Sequence, residues 1–536
     1  MPAVAASVGT IVGTAGTSVG AAFETANLNY AALSPMIVVV AGALIGVLVE
    51  AFVGRQSRTT VQVALAVVTM LAALAALLVW ARPNQSVTAE QSMAIDGPAL
   101  FMQATLLLFG ILGILAMSER FGSASADAFT PMGAASPGSP QEEAATKVGY
   151  VTSEVYPLTV FAVFGMMLFV ASNDLIMMFV ALEMLSLPLY ILTGLARRRR
   201  LLSQEASLKY FLLGAFSSGF FLFGAALLYG VAGSSDLRLI ARSITSGSVD
   251  FGGLLLIGAF FTIIGLLFKV GAVPFHAWTP DAYQGAPTPV TGFMAAATKL
   301  AAFGAILRLT YVGLEASRWD WRVGVGIIAA LTMIVGAVVS IKQTDMKRLL
   351  AYSSIAHAGF VLVGVLAFDK TAIAGVLFYL VAYGLATIAA FAIVAMVRQS
   401  GSEATNVSQW AGLGKKHPVV AGCFGLLLLA FAGIPLTSGF TAKFAVFAPA
   451  IAHGDLMGII LVVIGVLASG VTAYIYFRII VLMYFEDAPG GDEVVALNPG
   501  IATTVVVTVG VLATLLLGIV PGLLLEIANS SSLFLL

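Results

Sequence analysis

The chain has 536 residues, of which 60% are hydrophobic and only 10% are charged, with a mean hydropathy of +1.02 and a net charge of zero. Long apolar runs fill most of the sequence, and about 20 apolar residues are needed to cross the hydrocarbon core of a bilayer. This composition excludes the soluble classes. A β-barrel is also excluded, because the apolar runs do not alternate between polar and apolar residues.

The apolar runs predict an all-α polytopic membrane protein with about fourteen transmembrane helices. Residues 1–30 contain no Lys or Arg, which argues against a secretory signal or a transit peptide. The predicted regions are an N-terminal tail at 1–30, three leading helices at 31–118, a flexible cytoplasmic loop at 119–152, five helices at 153–314, five helices at 322–484 and a final helix within 485–536.

Two breaks with prolines fall at matching places in the two groups of five helices. The first break lies near Pro274, at the end of predicted helix 7, and the second near Pro435, in predicted helix 12. Each of these is the fourth helix of its group. Proline removes a backbone donor and clashes with the preceding turn, so neither helix can continue unbroken. Five crossings turn the second group upside down relative to the first. The pattern therefore predicts two inverted five-helix repeats, with a site at each break.

The basic residues predict the orientation in the membrane. Loops after odd-numbered helices hold fourteen Lys and Arg residues, against six in the loops after even-numbered helices. The positive-inside rule places the first set in the cytoplasm and both termini on the outer side. We interpret the four consecutive arginines at 197–200 as an anchor at the anionic leaflet, not as a nucleic-acid site, because they cap a predicted helix.

Five ionisable residues lie within the predicted helices: Glu183, Lys209, Lys269, Lys299 and Lys443. A charge at bilayer depth costs about 2.5–3.5 kcal/mol, so such residues mark proton or ion paths by default. A lysine whose distance to a carboxylate changes can take up and release a proton near neutral pH. We interpret the five residues as a proton path in which Glu183 is the partner of Lys269. For Lys209, near a helix end, the alternative is snorkelling to the surface.

Two of the four histidines are further candidates. His276 lies in the first break and His357 in the apolar run of predicted helix 10, and each is either a proton relay or a neutral histidine bonded to a carbonyl or water. His417 and His453 are predicted to lie in loops. Four scattered histidines and the single cysteine, Cys423, provide neither paired haem ligands nor a metal-ligand spacing.

Several segments of the chain resemble the antiporter-like membrane subunits of respiratory complex I, the NADH:quinone oxidoreductase. The resemblance covers about residues 31–530. The reading HAWTPDAYQGAP favours one branch of this family over the L and M subunits and the cation/proton antiporters, which tend to read WLPDA. The segments are FKVGAVPFHAWTPDAYQGAPTPVTGFMAAATKLAAFGAILRL, SLKYFLLGAFSSGFFLFGAALLYG, MKRLLAYSSIAHAGF and GIPLTSGFTAKF.

This resemblance implies a fold of fourteen helices and a role for each candidate residue. Glu183 matches the family's glutamate of helix 5, Lys269 its lysine of helix 7, and Lys299 its lysine of helix 8. Lys443 matches the lysine of broken helix 12, on the exit side, and Lys209 a lysine of helix 6. His276 and His357 match polar residues along the central hydrophilic axis.

The resemblance also implies a bacterial cell-membrane protein that works in a complex. Its expected partners are the antiporter-like M subunit, small membrane subunits and the lipid bilayer, and no nucleic acid. FMN, iron–sulfur clusters, NADH and quinone are expected in other subunits, with no cofactor in this chain. Quinone reduction elsewhere is expected to alter the Glu183–Lys269 interaction and to drive a proton through Lys299 towards Lys443.

Two other functions remain open on the residues alone. The first is a subunit of a multi-subunit sodium/proton antiporter, against which the TPDAYQGAP reading speaks. The second is a membrane enzyme that binds quinone through Phe275, Trp278 and Tyr283, although aromatic residues beside a break are more typical of packing at the membrane interface. A scaffold that carries no protons is disfavoured by the central lysines.

Overall fold

The structure is a computed structural model that describes residues 28–120, 127–148, 150–246, 252–399, 402–452, 454–487 and 494–535. Most of the predicted N-terminal tail, part of the 119–152 loop and His453 lie outside these residues. The α-helices that they form are α1 Tyr30–Phe52, α2 Arg55–Ala76, α3 Gly97–Met117, α4 Pro140–Val148, α5 Val155–Ala171, α6 Leu175–Thr193, α7 Arg200–Ala232, α8 Leu237–Ser246, α9 Gly252–Val270, α10 Trp278–Gly285, α11 Thr288–Arg308, α12 Arg318–Ser340, α13 Met346–Val365, α14 Lys370–Met396, α15 Leu413–Lys416, α16 Pro418–Ala432, α17 Ser438–Ala452, α18 Leu456–Phe485, α19 Ile501–Ile519 and α20 Gly522–Ser530.

Short strands and other helical turns join these helices. Antiparallel strands β1 (Ser86–Thr88) and β2 (Met93–Ile95) connect α2 to α3. A second small sheet has the order β4-β3-β5, formed by β3 (Val397–Gln399), β4 (Ser402–Glu403) and β5 (Val494–Ala496). The π-helical segments are Leu77–Ala81 and Leu309–Gly313, and the 3₁₀ segments are Arg82–Asn84, Glu315–Ser317 and Val407–Trp410.

The predicted class, an all-α polytopic membrane protein, is confirmed. Within the described residues, twelve helical segments are long and apolar enough to cross a membrane. Helix α5 has 17 residues, and α16 and α17 have 15 each. Fourteen crossings would follow if α5 crosses once and α16 and α17 together cross once. The count of fourteen and the inverted relation of the two groups stay predictions.

The innermost helices are α11 and α14, whose most apolar stretches are completely buried by the rest of the chain. Helices α1, α2, α18 and α19 lie at the rim, where most of the corresponding stretch faces outward. Apolar side chains on that rim suit contact with lipid or with other membrane helices. Lys299 therefore lies on one of the two most shielded helices that the structure describes.

The structure contains both predicted helix breaks. At each one, a helix ends next to a glycine in the left-handed backbone conformation. Helix α9 ends before Gly271, at φ +74°, and α16 ends before Gly433, at φ +82°. Glycine adopts this conformation at little cost. After the first break the chain forms the short helix α10, which the sequence did not predict, and after the second it begins α17 at Ser438.

A completely buried ion pair joins the end of α11 to the start of α3. Arg308 Nη2 lies 2.7 Å from Asp96 Oδ1 and Arg308 Nη1 lies 3.0 Å from Oδ2, with both side chains 0% exposed. Arg308 Nε also donates to the Val170 carbonyl, and Asp96 caps α3 through Ala99 N. The backbone of Leu535, at the far end of the chain, donates to the same carboxylate. Sequence analysis missed this pair.

We expect Arg308→Met to lower the free energy of unfolding by about 3–5 kcal/mol, because it leaves the Asp96 carboxylate buried without a counter-charge. Adding Asp96→Asn should recover part of that loss, since asparagine caps a helix as well as aspartate does and carries no charge. Both effects can be measured by heating the purified complex and monitoring the temperature at which this subunit unfolds and is lost from it.

The matched control is Arg318→Met, which removes an arginine that is partly exposed and lies 3.6 Å from Glu315. An exposed pair contributes about 0–1 kcal/mol, so this variant should unfold close to the wild-type temperature. Equal stability of the Arg308→Met and Arg318→Met variants would contradict a stabilising role for the buried pair.

Candidate functional site

Lys269 lies in the last turn of α9, where it is 3% exposed and is held by hydroxyl groups of α6. Its Nζ donates to Ser186 Oγ at 2.8 Å and to Tyr190 Oη at 3.2 Å. The same ammonium lies 5.4 Å from the ring centre of Tyr190 and 5.9 Å from that of Tyr210. Aromatic faces attract a cation. Neutral oxygens and ring faces therefore surround this charge.

Glu183 and Lys269 make no direct contact in this structure, and their predicted partnership stays a prediction. Glu183 lies on α6, almost one turn before Ser186, and among the described residues no ion pair joins it to Lys269. One of its carboxylate oxygens, Oε1, is buried and has no hydrogen-bond partner. Ser186, three residues further along α6, accepts the hydrogen bond from the ammonium instead.

Lys299 lies near the middle of α11 and is 3% exposed. Its Nζ donates to the backbone carbonyl of Ser354 on α13. The hydroxyl of Ser354 is buried and has no hydrogen-bond partner, and the phenols of Tyr283 and Tyr383 lie beside it. Three hydroxyl groups thus lie together at Ser354, the residue whose carbonyl binds the lysine that the sequence predicts to be central.

Lys443 is placed at the second break by the end of helix α16. Its Nζ donates to the carbonyls of Phe431 at 3.0 Å and Ala432 at 2.8 Å, and to Ser469 Oγ. These are the last two residues of α16, whose carbonyls have no partner within the helix and carry the negative end of its dipole. A Cβ on Gly433 would lie 2.9 Å from Lys443 Cδ, so a glycine there leaves room for the lysine stem.

His357 lies between the two last-named lysines. It follows Ser354 by three residues on α13, and the charges of both Lys299 and Lys443 act on it. Its Nδ1 lies 2.6 Å from Tyr379 Oη, while its Nε2 is buried without a hydrogen-bond partner. A cavity of about 10 Å³ beside the ring is just large enough for the centre of one water molecule. The structure therefore brings Lys299, His357 and Lys443 together.

His276 lies in the first break, half-buried, with its ring 6.3 Å from that of Tyr352 on α13. Its Nδ1 has no hydrogen-bond partner in the structure, and neither does the hydroxyl of Thr279 nearby. Polar groups thus line the break between the Lys269 cluster and α13. No hydrogen bond links Lys269 directly to Lys299 among the described residues.

Lys209 lies apart from the buried lysines. Its side chain is 46% exposed and its Nζ lies 2.6 Å from Glu205 and 3.0 Å from Asp281. Asp281, on the short helix α10, also pairs with Arg348 at 2.6 Å. Although burial alone would raise its pKa, the hydrogen bonds and charges of Arg348 and Lys209 together hold the pKa of Asp281 below its usual value. These ion pairs join α7, α10 and α13, and an exposed, paired lysine suits this structural role better than proton transfer.

Sequence analysis missed the hydroxyl groups that hold the lysines and one further buried lysine. Serines and tyrosines are common in membrane helices, so Ser186, Tyr190 and Ser354 gave no local signal. Lys347 is one of the fourteen basic residues that the sequence predicts to lie in cytoplasmic loops, yet it is 4% exposed in the first turn of α13. The described residues contain no group of three or more His, Cys, Asp or Glu side chains that could hold a metal ion.

Known proteins resemble the chain over most of its length. The family model for "NADH:quinone oxidoreductase/Mrp antiporter, TM" matches residues 172–472. NADH-quinone oxidoreductase subunit N of Rhodococcus opacus is 52% identical over 527 residues, which cover 95% of this chain and 96% of that one. NADH-quinone oxidoreductase subunit N 3 of Streptomyces griseus is 50% identical, covering 98% of each chain.

Solved structures agree with the sequence relatives. A chain of respiratory complex I from Thermus thermophilus with bound aureothin is 32% identical, with a TM-score of 0.72 over 92% of this chain and 98% of that one. A chain of the Mrp complex from Dietzia sp. reaches a TM-score of 0.77 at 20% identity, over 94% of this chain and 97% of that one, and shows a shared fold. The resemblance predicted from the motifs is confirmed, and the chain belongs to the NADH-quinone oxidoreductase subunit N family.

Proposed function

We propose that this chain carries protons across the membrane within an NADH:quinone oxidoreductase, driven by quinone reduction in other subunits. The family supplies the complex in which it works. The observation that supports proton transport is the burial of three lysines without a carboxylate partner. Lys269, Lys299 and Lys443 are each at least 93% buried. In the part of the chain that the structure describes, none of the three forms an ion pair.

Uncharged partners suit a lysine that must release its proton. Burial disfavours the charged form of an amine, and a carboxylate in contact would oppose that effect and hold the proton. The oxygens around Lys269 and Lys443 are hydroxyls and carbonyls, which can bind an ammonium without fixing its charge. A lysine in such a place can exchange a proton when a small change in the local potential favours it.

The polar groups between Lys299 and Lys443 provide steps for the proton. A hydroxyl can accept one hydrogen bond while it donates another, and a neutral imidazole accepts at one nitrogen and donates from the other. The buried Ser354 hydroxyl and His357 Nε2 have no protein partner. Buried polar groups of this kind usually bind water. We propose that water links Lys299 to His357, and His357 to Lys443.

We propose that the Glu183 carboxylate acts on Lys269 electrostatically through space, without direct contact. Moving one charge against the membrane potential needs about 2.3 kcal/mol per 100 mV. A change of about two units in the pKa of a lysine corresponds to roughly 2.7 kcal/mol, which is comparable to the energy needed to move that charge. Rearrangement of α6 relative to α9 can therefore supply the energy of one step. His276 and Thr279 are proposed to carry the proton across the first break.

The orientation is part of the proposal. Asn29 N donates to Thr88 Oγ1 and Leu535 N donates to Asp96, so both ends of the described chain meet the connection between α2 and α3. These two contacts support the proposal that Asn29 and Leu535 lie on the same side of the membrane. The positive-inside rule makes this the outer side, because the basic loops of 197–200 and 415–416 lie after odd-numbered predicted helices.

Lys299→Ala should lower NADH-driven proton pumping by at least about tenfold, because a positioned proton donor is worth a rate factor of this size or more. Lys299→Arg should pump equally poorly, since a guanidinium keeps the charge but does not release its proton. Pumping and NADH:quinone turnover would be measured in the same vesicles. The exposed Lys370→Ala serves as the matched control. Wild-type pumping by Lys299→Arg would contradict proton release from this amine.

Glu183→Gln should reduce pumping less than Lys299→Ala does, by about two- to tenfold, because the carboxylate acts on Lys269 through space. The exposed acid Glu315→Gln is the control, and it should pump like the wild type. If Glu183→Gln pumps at the wild-type rate over a range of membrane potentials, the proposed control of Lys269 by Glu183 is wrong.

A further inference from the structure

A cavity of about 590 Å³ lies on the side of the basic loops. Its walls come from the α6–α7 turn at 196–199 and the α10–α11 turn at 284–289. Further lining residues are Arg398, Ser402, Glu403, Thr405, Val495 and Leu497. Arg198 and Arg199 at its edge are exposed, so the cavity reaches the protein surface. Lys347, buried in the first turn of α13, also lines it. The cavity therefore leads from the surface to a buried amine.

Three polar side chains form a continuous row at the inner wall of this cavity. Thr288 Oγ1 donates to Glu403 Oε1 at 2.5 Å, and Lys347 Nζ donates to Thr288 Oγ1 at 3.3 Å and to the Ala286 carbonyl at 2.6 Å. Glu403 is half-buried, whereas Thr288 and Lys347 are 3% and 4% exposed. The row thus begins at a carboxylate beside the cavity and ends at a buried lysine.

Helices α10 and α13 extend from this row of side chains towards Lys299. Ser354, whose carbonyl binds Lys299, follows Lys347 by seven residues on α13, which is two turns or about 10 Å along the same face. Tyr283 lies between them, since its helix ends at the Ala286 carbonyl that binds Lys347 and its phenol lies beside the Ser354 hydroxyl. The hydroxyls of Tyr283 and Ser354 thus lie beside each other, at the residue whose carbonyl binds Lys299.

We propose that Glu403, Thr288 and Lys347 take up protons from the basic-loop side and deliver them through Tyr283 and Ser354 to Lys299. The inference rests on the proposed function, because it names the source of the protons that Lys299 passes on.

The transfer conserves protons at each step. A hydronium ion in the cavity gives a proton to the Glu403 carboxylate and leaves a water molecule. The Glu403 carboxyl then gives its proton to the Thr288 hydroxyl oxygen, while the original hydroxyl proton passes to the neutral amine of Lys347. Glu403 is again a carboxylate and Lys347 an ammonium, which later releases a proton towards Tyr283.

The experiment uses inverted membrane vesicles that contain the assembled complex, with the cavity facing the outside solution. Glu403→Ala should lower the NADH-driven membrane potential generation rate by about tenfold. Formate, a small carboxylic acid that fits the cavity, should restore a substantial part of this rate. Glu403→Asp, which keeps a carboxyl group, should retain most of the wild-type rate. A potential-sensitive dye is the readout, because a weak acid collapses pH gradients.

Asp127→Asn is the matched control, since Asp127 lines the same cavity but pairs with Arg197 at 2.7 Å. Formate should not change the rate of this variant or of the wild type. A Glu403→Ala complex that generates potential at the wild-type rate, or one that formate does not rescue, overturns the proposal. If Glu403→Ala does not assemble, Thr288→Val decides, because it removes only the linking hydroxyl, and a wild-type rate there overturns the proposal.

Failure of this inference is distinguishable from failure of the proposed function. A loss of pumping in Lys299→Ala together with wild-type pumping in Glu403→Ala and Thr288→Val would mean that protons reach Lys299 by another route. Wild-type pumping in Lys299→Ala would remove the function on which the inference depends.

Discussion

The structure depends on keeping amines in a shielded interior without a carboxylate in contact. Lys269, Lys299 and Lys443 lie in three different helices, and each ammonium is bound by hydroxyl or carbonyl oxygens. Full neutralisation by a buried ion pair would stabilise the charge too strongly for proton release. The chain does contain such a pair, Arg308 and Asp96. It lies at the end of α11, more than two turns from Lys299 on the same helix.

The helix breaks supply the oxygens that this arrangement needs. An unbroken helix uses its carbonyls internally, whereas the end of α16 leaves those of Phe431 and Ala432 free for Lys443. At the first break the chain gains α10, and this short helix brings Tyr283 and the Ala286 carbonyl to α13. The same turn joins the large cavity to Lys347. Breaks that would weaken an ordinary membrane helix thus create the polar interior here.

Local signals in the sequence predicted the membrane class, both breaks and the burial of the central lysines, because prolines and lysines are conspicuous in apolar runs. Contacts between distant segments could not be predicted. Lys269 and Ser186 are 83 residues apart, and Arg308 and Asp96 are 212 apart. Whether Glu183 or Ser186 meets Lys269 depends on how α6 turns against α9, which no local pattern specifies. Lys347 resembles an exposed loop residue in the sequence, because its burial depends on packing against the distant segment 286–288.

The most direct test of the account is a cryo-EM map of the intact complex that resolves ordered water. The account predicts water within about 3 Å of Ser354 Oγ and of His357 Nε2, forming hydrogen-bonded links from Lys299 to Lys443. A well-resolved map in which these two atoms are dry, and in which neither water nor polar side chains connect the amines, would contradict it.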